Sequence, residues 1–271
     1  MESIPTPYPD LNVVLQNLVE SVQLALGQKF MGAYLQGSFA VGDFDEHSDV
    51  DFIIVITDDL ADSEVSALQL MHARLYGLES AWAQHLEGSY FPQRILRRPP
   101  QSNGLLWYLD HGSRSLIQSD HCNTLLVRWV VREQGIPLAG PAPVTLIDPL
   151  SVTALRQEML ATIQDWGQDI LAHPDHYQNR FYQTYIVLQY CRMLHDLHNG
   201  FPGSKRAGAA WAKTTLDTSW KGLIDRTWAG RPNPALSVRQ PADQADFQAT
   251  LEFVRYIINQ SRSYATANHL E

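Results

Sequence analysis

Asp49 and Asp51 stand one residue apart at the start of an apolar run, inside the stretch YLQGSFAVGDFDEHSDVDFIIVI of residues 34–56. Successive side chains of a β-strand point to opposite faces, so two carboxylates with this spacing project from the same face of a strand. Residues 52–56 are all apolar and would anchor that strand in a core. Paired carboxylates on a rigid strand are oxygen ligands of the kind that Mg²⁺ takes together with substrate phosphates. The spacing therefore predicts a Mg²⁺ site at the start of this strand.

Gly37 and Ser38 interrupt the preceding apolar run and predict a turn that approaches a phosphate. A glycine allows close backbone approach, and a serine offers both a hydroxyl and an N–H to a phosphate oxygen. An Asp-x-Asp sequence by itself is also found at solvated strand ends. The functional interpretation therefore depends on the complete pattern of apolar strand, Gly-Ser, a loop with Gly42, and Asp-x-Asp leading into a second apolar strand.

Glu87 is the candidate general base. It belongs to the segment LEGSYFPQ, which predicts a third strand that begins near Glu87 and, because of Pro92, ends early or lies at a sheet edge. If that strand lies beside the strand that carries Asp51, the Glu87 carboxylate can take the proton of an attacking hydroxyl. Without such a neighbour the same residue would be an exposed carboxylate in a turn.

Arg192, Ser204 and Lys205 could bind phosphate within the segment RMLHDLHNGFPGSKRAGAAWA of residues 192–212. Ser204 stands where a helix N-cap is expected, and the backbone N–H groups at the start of a helix favour an anion. Lys205 adds a point charge, and Arg192 adds a forked donor for phosphate oxygens. Taken alone, these two cations could equally be surface charges.

The composition limits the classes of protein to consider. The chain has 271 residues, of which 45% are hydrophobic and 18% charged, and its formal net charge is −9. Such an acidic chain is poorly suited to nucleic acid, which disfavours a polymerase or an RNA-tailing enzyme. The N-terminal residues lack the features of a signal peptide, and no apolar run has the length of a membrane span. We therefore predict a soluble, cytoplasmic protein with no nucleic-acid or membrane partner.

The predicted elements divide the chain into two domains, residues 1–148 and 149–271, separated by the proline-rich segment 138–148. The first domain begins with a helix and a strand, followed by the Asp-bearing strand, a long helix, three shorter strands and another helix. Residues 9–29, 60–84 and 121–132 are the predicted helices of this domain. The second domain is predicted to be helical at residues 152–172, 177–197, 205–216, 219–228 and 241–264. The predicted fold class is an α/β (α+β) domain with a small mixed sheet, followed by an all-α helical bundle.

The Gly-Ser turn and the Asp-x-Asp strand together resemble the signature of the DNA polymerase beta-type nucleotidyltransferase superfamily, with a spacing similar to that of its antibiotic-modifying members. The segment that contains Arg192, Gly200 and Ser204-Lys205 resembles the helical C-terminal domain of the streptomycin/spectinomycin adenylyltransferases. The resemblance covers nearly the whole chain, although only the motif segments are close.

This resemblance implies a role for each candidate residue. Asp49 and Asp51 would hold Mg²⁺, and Glu87 would act as the catalytic base and also contact the metal. The residues implied to bind ATP are Gly37, Ser38, Arg192, Ser204 and Lys205. The helical domain would then complete the cleft for ATP and the acceptor.

The acceptor-binding residues depart from the family pattern. Where the family has mostly Asp and His, the helix that leads to Arg192 carries Gln178, Tyr182 and Tyr185. A cationic aminoglycoside would lose its expected carboxylate partners there, which leaves the identity of the acceptor open. His111 and Arg114 belong to a polar group that could line an acceptor pocket or tie a loop; its other members are Ser113, His121 and Asn123.

The most specific prediction is a monomeric, Mg²⁺-dependent enzyme that transfers AMP from ATP to a hydroxyl of a small polar acceptor, aminoglycoside-like in character. One alternative keeps the reaction but changes the acceptor to a protein hydroxyl, although such enzymes are usually short single domains. Another is a nucleotide-binding module without catalysis, which the presence of three candidate carboxylates disfavours.

Overall fold

The computed structural model describes residues 4–46, 48–98, 104–231 and 237–267. The chain forms two compact units that divide in sequence between Pro149 and Leu150. The first unit contains a mixed sheet and the second is helical, so the predicted fold class is confirmed. The functions assigned above to the two domains stay predictions.

Six strands form the sheet of the first unit, in the order β5-β4-β3-β2-β1-β6. They are β1 (Phe30–Leu35), β2 (Val50–Ile56), β3 (Leu86–Pro92), β4 (Leu106–Leu109), β5 (Leu116–Ser119) and β6 (Ile136–Ala139). β2 and β3 pair in parallel, and the other neighbouring pairs are antiparallel. The helices of this unit are α1 (Pro9–Leu26), α2 (Gly37–Ala40), α3 (Asp62–Tyr76), α4 (Gln93–Arg97) and α5 (Leu125–Gln134).

The two faces of the sheet bury different clusters, which keeps β2 rigid. On one face Phe52 and Ile54 pack in a cluster with apolar residues of α1 and α3. On the other face Ile53 and Val55 belong to a second cluster, and Asp51 shares their parity along the strand. Each of these fully buried side chains stabilises the fold by about 1.5–3 kcal/mol, so the carboxylate at the start of β2 stands on a well-anchored strand.

α1 follows directly from its sequence pattern. Pro9 occupies the first position of the helix, where its missing N–H costs no hydrogen bond. The buried residues recur at helical spacing and form one face, namely Leu11, Val14, Leu15, Leu18, Val22 and Leu26. Gly27 ends the helix with a positive φ of 52°, a conformation that favours glycine.

Several predicted boundaries in the first unit are wrong. The helix expected at residues 60–84 ends at Tyr76, and residues Ala81–Gln84 form a separate 3₁₀ turn. The strand β6, Ile136–Ala139, lies in a stretch that was expected to be irregular. β6 is short and pairs with β1 at the edge of the sheet, a position that tolerates its Pro137. Conversely, Pro92 ends β3 as predicted, but β3 lies between β2 and β4 rather than at an edge.

The second unit contains the helices α6 (Val152–Ala172), α7 (Arg180–Asn199), α8 (Lys205–Thr215), α9 (Lys221–Ala229) and α10 (Gln244–Ala267). Ser151, Asn179 and Ser204 cap the first three by accepting a hydrogen bond from a backbone N–H of the first turn. The last predicted helix was placed too early, because Pro241 forms an isolated bridge with Asn179 and the helix begins at Gln244. Within the described ranges, none of these helices has the length and apolar character needed to cross a bilayer.

Candidate active site

Asp51 and Glu87 lie side by side on neighbouring parallel strands. The register of β2 and β3 pairs these two residues, so both side chains leave the sheet on the same face. Asp49 comes directly before β2 and has the same parity as Asp51. At the starts of the two strands, the Val50 N–H donates to the carbonyl of His85 at 2.8 Å. The tertiary structure thus gathers the three predicted carboxylates at one end of the sheet.

The predicted Gly-Ser turn is the start of α2, the four-residue helix after β1, and it lies directly against Asp51. The backbone N–H of Gln36 donates to the carbonyl of Asp51 at 2.9 Å, and the Gln36 side chain accepts from the N–H of Gly37 at 3.1 Å. Gly37 has a φ of 59°, and a Cβ there would lie 2.0 Å from Oδ2 of Asp51. Glycine is therefore required both by the backbone conformation and by the closeness of the carboxylate.

The hydroxyl oxygen of Ser38 is available to bind a ligand. Its Oγ is buried and has no hydrogen-bond partner among the described residues. A buried hydroxyl left unpaired costs about 1–3 kcal/mol, and a phosphate oxygen is an acceptor that would remove this cost. Together with the neighbouring carboxylates, this fits the binding of a nucleotide phosphate with Mg²⁺, whose preferred ligands are oxygens.

The close approach of Gly37 to Asp51 predicts a difference in the free energy of unfolding between two glycine variants. We expect Gly37→Ala to lower the free energy of unfolding more than Gly42→Ala does. Gly42 also has a positive φ of 73°, but a Cβ there would meet no described atom within 4 Å. Both variants should lose about 1–2 kcal/mol to the backbone conformation, and Gly37→Ala about 1–3 kcal/mol more to the clash. Urea unfolding of the two variants makes the comparison, and equal losses would contradict the inferred contact.

Glu87 sits in a hydrogen-bonded group with two aromatic residues. Tyr108 Oη donates to Glu87 Oε1 at 2.6 Å, and His121 Nε2 lies 3.4 Å from the same oxygen. Tyr108 lies on β4 and pairs with Ser89 of β3. Ser89 is two residues from Glu87, so the side chains of Tyr108 and Glu87 point to the same face of the sheet. The side chain of Glu87 is only 14% exposed. Its carboxylate is thus shielded and oriented rather than lying free in a turn.

The charge state of Glu87 follows from these contacts. Burial raises the pKa of Glu87, but the hydrogen bonds from His121 and Tyr108 and the charges of His121 and His111 outweigh burial and lower it. The hydrogen bond to Glu87 raises the pKa of His121 against the opposing effect of burial. Burial and the Glu87 charge raise the pKa of Tyr108, which keeps its hydroxyl a donor. Glu87 is therefore ionised at neutral pH and able to accept a proton.

Asp49 is in contact with histidines. His111 Nε2 lies 3.2 Å from Asp49 Oδ1 and 2.9 Å from His85 Nδ1. Ligand atoms of these three residues all lie within 4.8 Å of one another, whereas Asp49, Asp51 and Glu87 do not form such a group among the described residues. The predicted role of the three carboxylates as Mg²⁺ ligands therefore stays a prediction.

The predicted phosphate-binding residues of the helical unit lie on two helices that touch. A Cβ on Gly208 of α8 would be 2.5 Å from the Cα of Arg192 on α7, so the glycine permits close packing at this point. The Nε of Arg192 is buried and has no hydrogen-bond partner in the described part of the chain. Ser204 Oγ accepts from the N–H of Ala207 at 2.9 Å, which confirms the predicted N-cap. Lys205 follows directly, and its Nζ lies 4.9 Å from the centre of the Tyr185 ring.

The candidate acceptor residues occupy different places. In the helical unit Tyr182 and Tyr185 belong to an aromatic group with Tyr177 and Phe181. Gln178 Nε2 donates to Gln244 Oε1 at 3.3 Å. In the sheet unit His111 contacts Asp49, but the guanidinium of Arg114 stacks 4.5 Å from the ring of Tyr76 at the end of α3. Arg114 and His111 therefore make separate contacts, and their role in acceptor binding stays a prediction.

Sequence reasoning did not identify Tyr108 or His85 as site residues. Tyr108 lies within the predicted strand LLWYLD. The alternation of side chains along that strand shows that Tyr108 shares a face with Glu87 only once the pairing with β3 is known. His85 precedes Glu87 by two residues, and this shared parity is a signal that could have placed it on the same face. In the sequence, His121 belongs only to the polar group that could line an acceptor pocket or tie a loop.

The comparisons with known proteins concern both units. Residues 145–260 match the family model described as aminoglycoside adenylyltransferase, C-terminal domain. Among solved structures, the chain is similar to spectinomycin adenyltransferase AAD(9) from Enterococcus faecialis, determined with ATP and spectinomycin, with a TM-score of 0.67 and 14% sequence identity. The similarity covers 92% of this chain and 98% of that chain, and it shows a shared fold. No curated protein matches the chain by sequence.

Proposed function

We propose that this chain, which matches the C-terminal adenylyltransferase family model over residues 145–260 and shares the fold of a spectinomycin adenyltransferase, moves AMP from ATP to a hydroxyl of a small, polar, aminoglycoside-like acceptor. The observation that carries the proposal is the pairing of Asp51 with Glu87 on parallel strands, next to a turn in which Ser38 Oγ is buried without a described partner. This arrangement offers a base, cation ligands and a phosphate contact at one end of the sheet.

The reaction requires one bond to form and one to break. The acceptor's hydroxyl oxygen bonds to the α-phosphorus of ATP, and the bond from that phosphorus to the bridging oxygen breaks, so pyrophosphate leaves with the electron pair. Glu87 takes the proton of the hydroxyl. Its carboxylate is ionised, and the hydrogen bond from Tyr108 to Oε1 fixes its orientation and leaves Oε2 for the acceptor.

The remaining residues neutralise and position the triphosphate. Asp49 and Asp51, joined by Glu87, would hold Mg²⁺, which when bound supplies positive charge against the phosphates. Gly37 brings the backbone of its turn close to this point, and Ser38 donates its hydroxyl to a phosphate oxygen. In the helical unit, Arg192, Ser204 and Lys205 would bind phosphate oxygens. The buried Nε of Arg192, which has no hydrogen-bond partner among the described residues, supports that role.

The acceptor is proposed to be less cationic than streptomycin. Tyr182 meets the Tyr185 ring edge to face, Tyr185 stacks on Phe181, and Lys205 lies over Tyr185. A site of this composition offers ring faces and hydroxyls rather than the carboxylates that guanidinium groups need. A sugar-like acceptor with few amino groups would be favoured.

The function is tested by measuring pyrophosphate release from ATP and Mg²⁺ with a panel of aminoglycosides and aminocyclitols, with mass spectrometry of the acceptor. We expect one or a few acceptors to gain AMP in amounts equal to the pyrophosphate released. If ATP binds but no small acceptor is modified, labelled ATP and a protein extract test transfer to protein. Binding without transfer to any acceptor would identify a nucleotide-binding module and contradict the proposal.

The contact between His121 and Glu87 predicts a specific pH effect. Burial raises the pKa of Glu87, and this effect remains in His121→Gln. The variant removes the imidazole charge that lowers this pKa and leaves at most a weaker, neutral hydrogen bond from the amide. Because the base must be ionised, the fall of kcat/KM toward acid pH should begin at a higher pH in the variant. The pH profiles of the two proteins provide the measurement. An unchanged acid limb with reduced activity throughout would mean that His121 is only structural.

A further inference from the structure

Three loops at one end of the sheet bring two histidines to Asp49. Asp49 precedes β2, His85 precedes β3, and His111 lies in the turn after β4. β2 and β3 are parallel, so their starts lie together, and the antiparallel pairing of Gly88 with Leu109 brings the end of β4 to the same edge. The three side chains therefore converge through strand pairing and not through closeness in sequence.

We propose that Asp49, His85 and His111 form a site for a transition-metal ion such as Zn²⁺, distinct in chemistry from the Mg²⁺ site. Zinc binds histidine nitrogen and carboxylate oxygen at about 2.0–2.2 Å, so the ligand atoms of a tetrahedral site lie about 3.3 Å apart. The observed separations from His111 Nε2, 2.9 Å to His85 Nδ1 and 3.2 Å to Asp49 Oδ1, are close to that edge length. Three protein ligands with one open position are typical of zinc centres that bind water or substrate.

A single hydrogen bond does not account for both close contacts of His111 Nε2. A ring nitrogen carries either one N–H or one lone pair, so His111 Nε2 can make at most one full hydrogen bond. It faces both Asp49 Oδ1 and His85 Nδ1 at hydrogen-bonding distance. A cation among the three atoms would account for both contacts, with the two imidazole nitrogens acting through their lone pairs.

Two imidazole nitrogens and one carboxylate oxygen favour a transition-metal ion over Mg²⁺. Imidazole suits zinc and its transition-metal neighbours, whereas Mg²⁺ prefers oxygen ligands and retains its waters. Zn²⁺ at this site would engage Asp49, which the proposed Mg²⁺ site also uses, and would thereby inhibit AMP transfer. The inhibition rests on the proposed function, but the binding of zinc does not.

Equilibrium dialysis of the untagged full chain against Zn²⁺ tests the site directly. We expect one tightly bound Zn²⁺ per chain. Both His85→Gln and His111→Gln should lower the zinc affinity by about 100-fold or more, since the loss of a residue that only hydrogen-bonds a metal ligand already lowers metal affinity by about 10–100-fold. Co²⁺, used as a probe, should give visible absorption that both variants lose. Mg²⁺ binding should not depend on either histidine.

The matched control is His173→Gln on the helical unit. His173 also pairs with a carboxylate, Asp169 at 2.9 Å, and stacks on His176, but these residues do not form a three-ligand group among the described residues. This variant should bind zinc like the original chain. Absence of tight zinc binding in the original chain, or an equal loss in His173→Gln, would overturn the proposal; circular dichroism confirms that each variant is folded. Failure of zinc to bind would leave the proposed AMP transfer intact.

Discussion

Asp51→Asn is expected to reduce the rate of AMP transfer by about 10³-fold or more, equivalent to about 4 kcal/mol of transition-state stabilisation, without unfolding the protein. Asparagine has the same shape but no charge, so it would hold Mg²⁺ weakly against the triphosphate. The strand itself should be unaffected, because Asp51 contributes to the sheet through its backbone, whose carbonyl accepts from Gln36. Pyrophosphate release at saturating ATP and acceptor measures the loss.

Asp58→Asn is the matched control for this substitution. Asp58 is exposed just beyond the opposite end of β2, so the same loss of charge there should leave the rate unchanged. Thermal melts of both variants should lie close to that of the original chain. Near-normal turnover in Asp51→Asn would exclude Asp51 from cation binding and with it the proposed reaction centre.

Glu87→Gln is expected to lower kcat by about 10²–10³-fold with little change in the affinity for ATP, because general-base catalysis contributes about 10²–10⁴-fold. Glutamine can still accept the hydrogen bond from Tyr108 through its amide oxygen, so the local structure should persist. It cannot take a proton from the acceptor hydroxyl. Separate measurement of kcat and of ATP binding distinguishes the loss of the base from a loss of nucleotide.

Glu79→Gln serves as the control for Glu87. Glu79 is exposed in the loop between α3 and β3 and should tolerate the same change. If Glu87→Gln instead weakened ATP binding strongly and left kcat nearly normal, Glu87 would act only as a ligand for the metal–nucleotide complex and not as the base, and the proton would have another acceptor.

The local parts of the site could be predicted from the sequence because they depend on neighbours along the chain. The alternation of a strand is enough to place Asp49 and Asp51 on one face. Gly37 marks the break after the first strand, and the close backbone approach predicted there is seen in its contact with Asp51. Ser204 was recognised as a cap from its position before a helical pattern, and its hydrogen bond to Ala207 agrees. The strands and helices of the first unit and the helical second unit follow in the same way from periodicity.

Element boundaries were less accurate where a short segment owes its conformation to a distant partner. β6 has four residues and a proline, and it exists as a strand because β1 offers its edge. The helix expected to run to residue 84 ends at Tyr76, and Gly77 follows directly. In each case the local pattern was compatible with more than one conformation, and packing selected one of them.

The candidate carboxylates, the Gly-Ser break after the first strand and the class of fold can be read from the residues alone. Which side chains face one another cannot. The parallel register of β2 and β3 brings Asp51 beside Glu87, and the pairing of β3 with β4 adds Tyr108. The same pairings bring His85 and His111 to Asp49, although His111 lies 62 residues after Asp49 in the sequence. The physical reason is that side-chain direction along a strand is a local property, whereas the neighbour across the sheet depends on which strands pair and in which register.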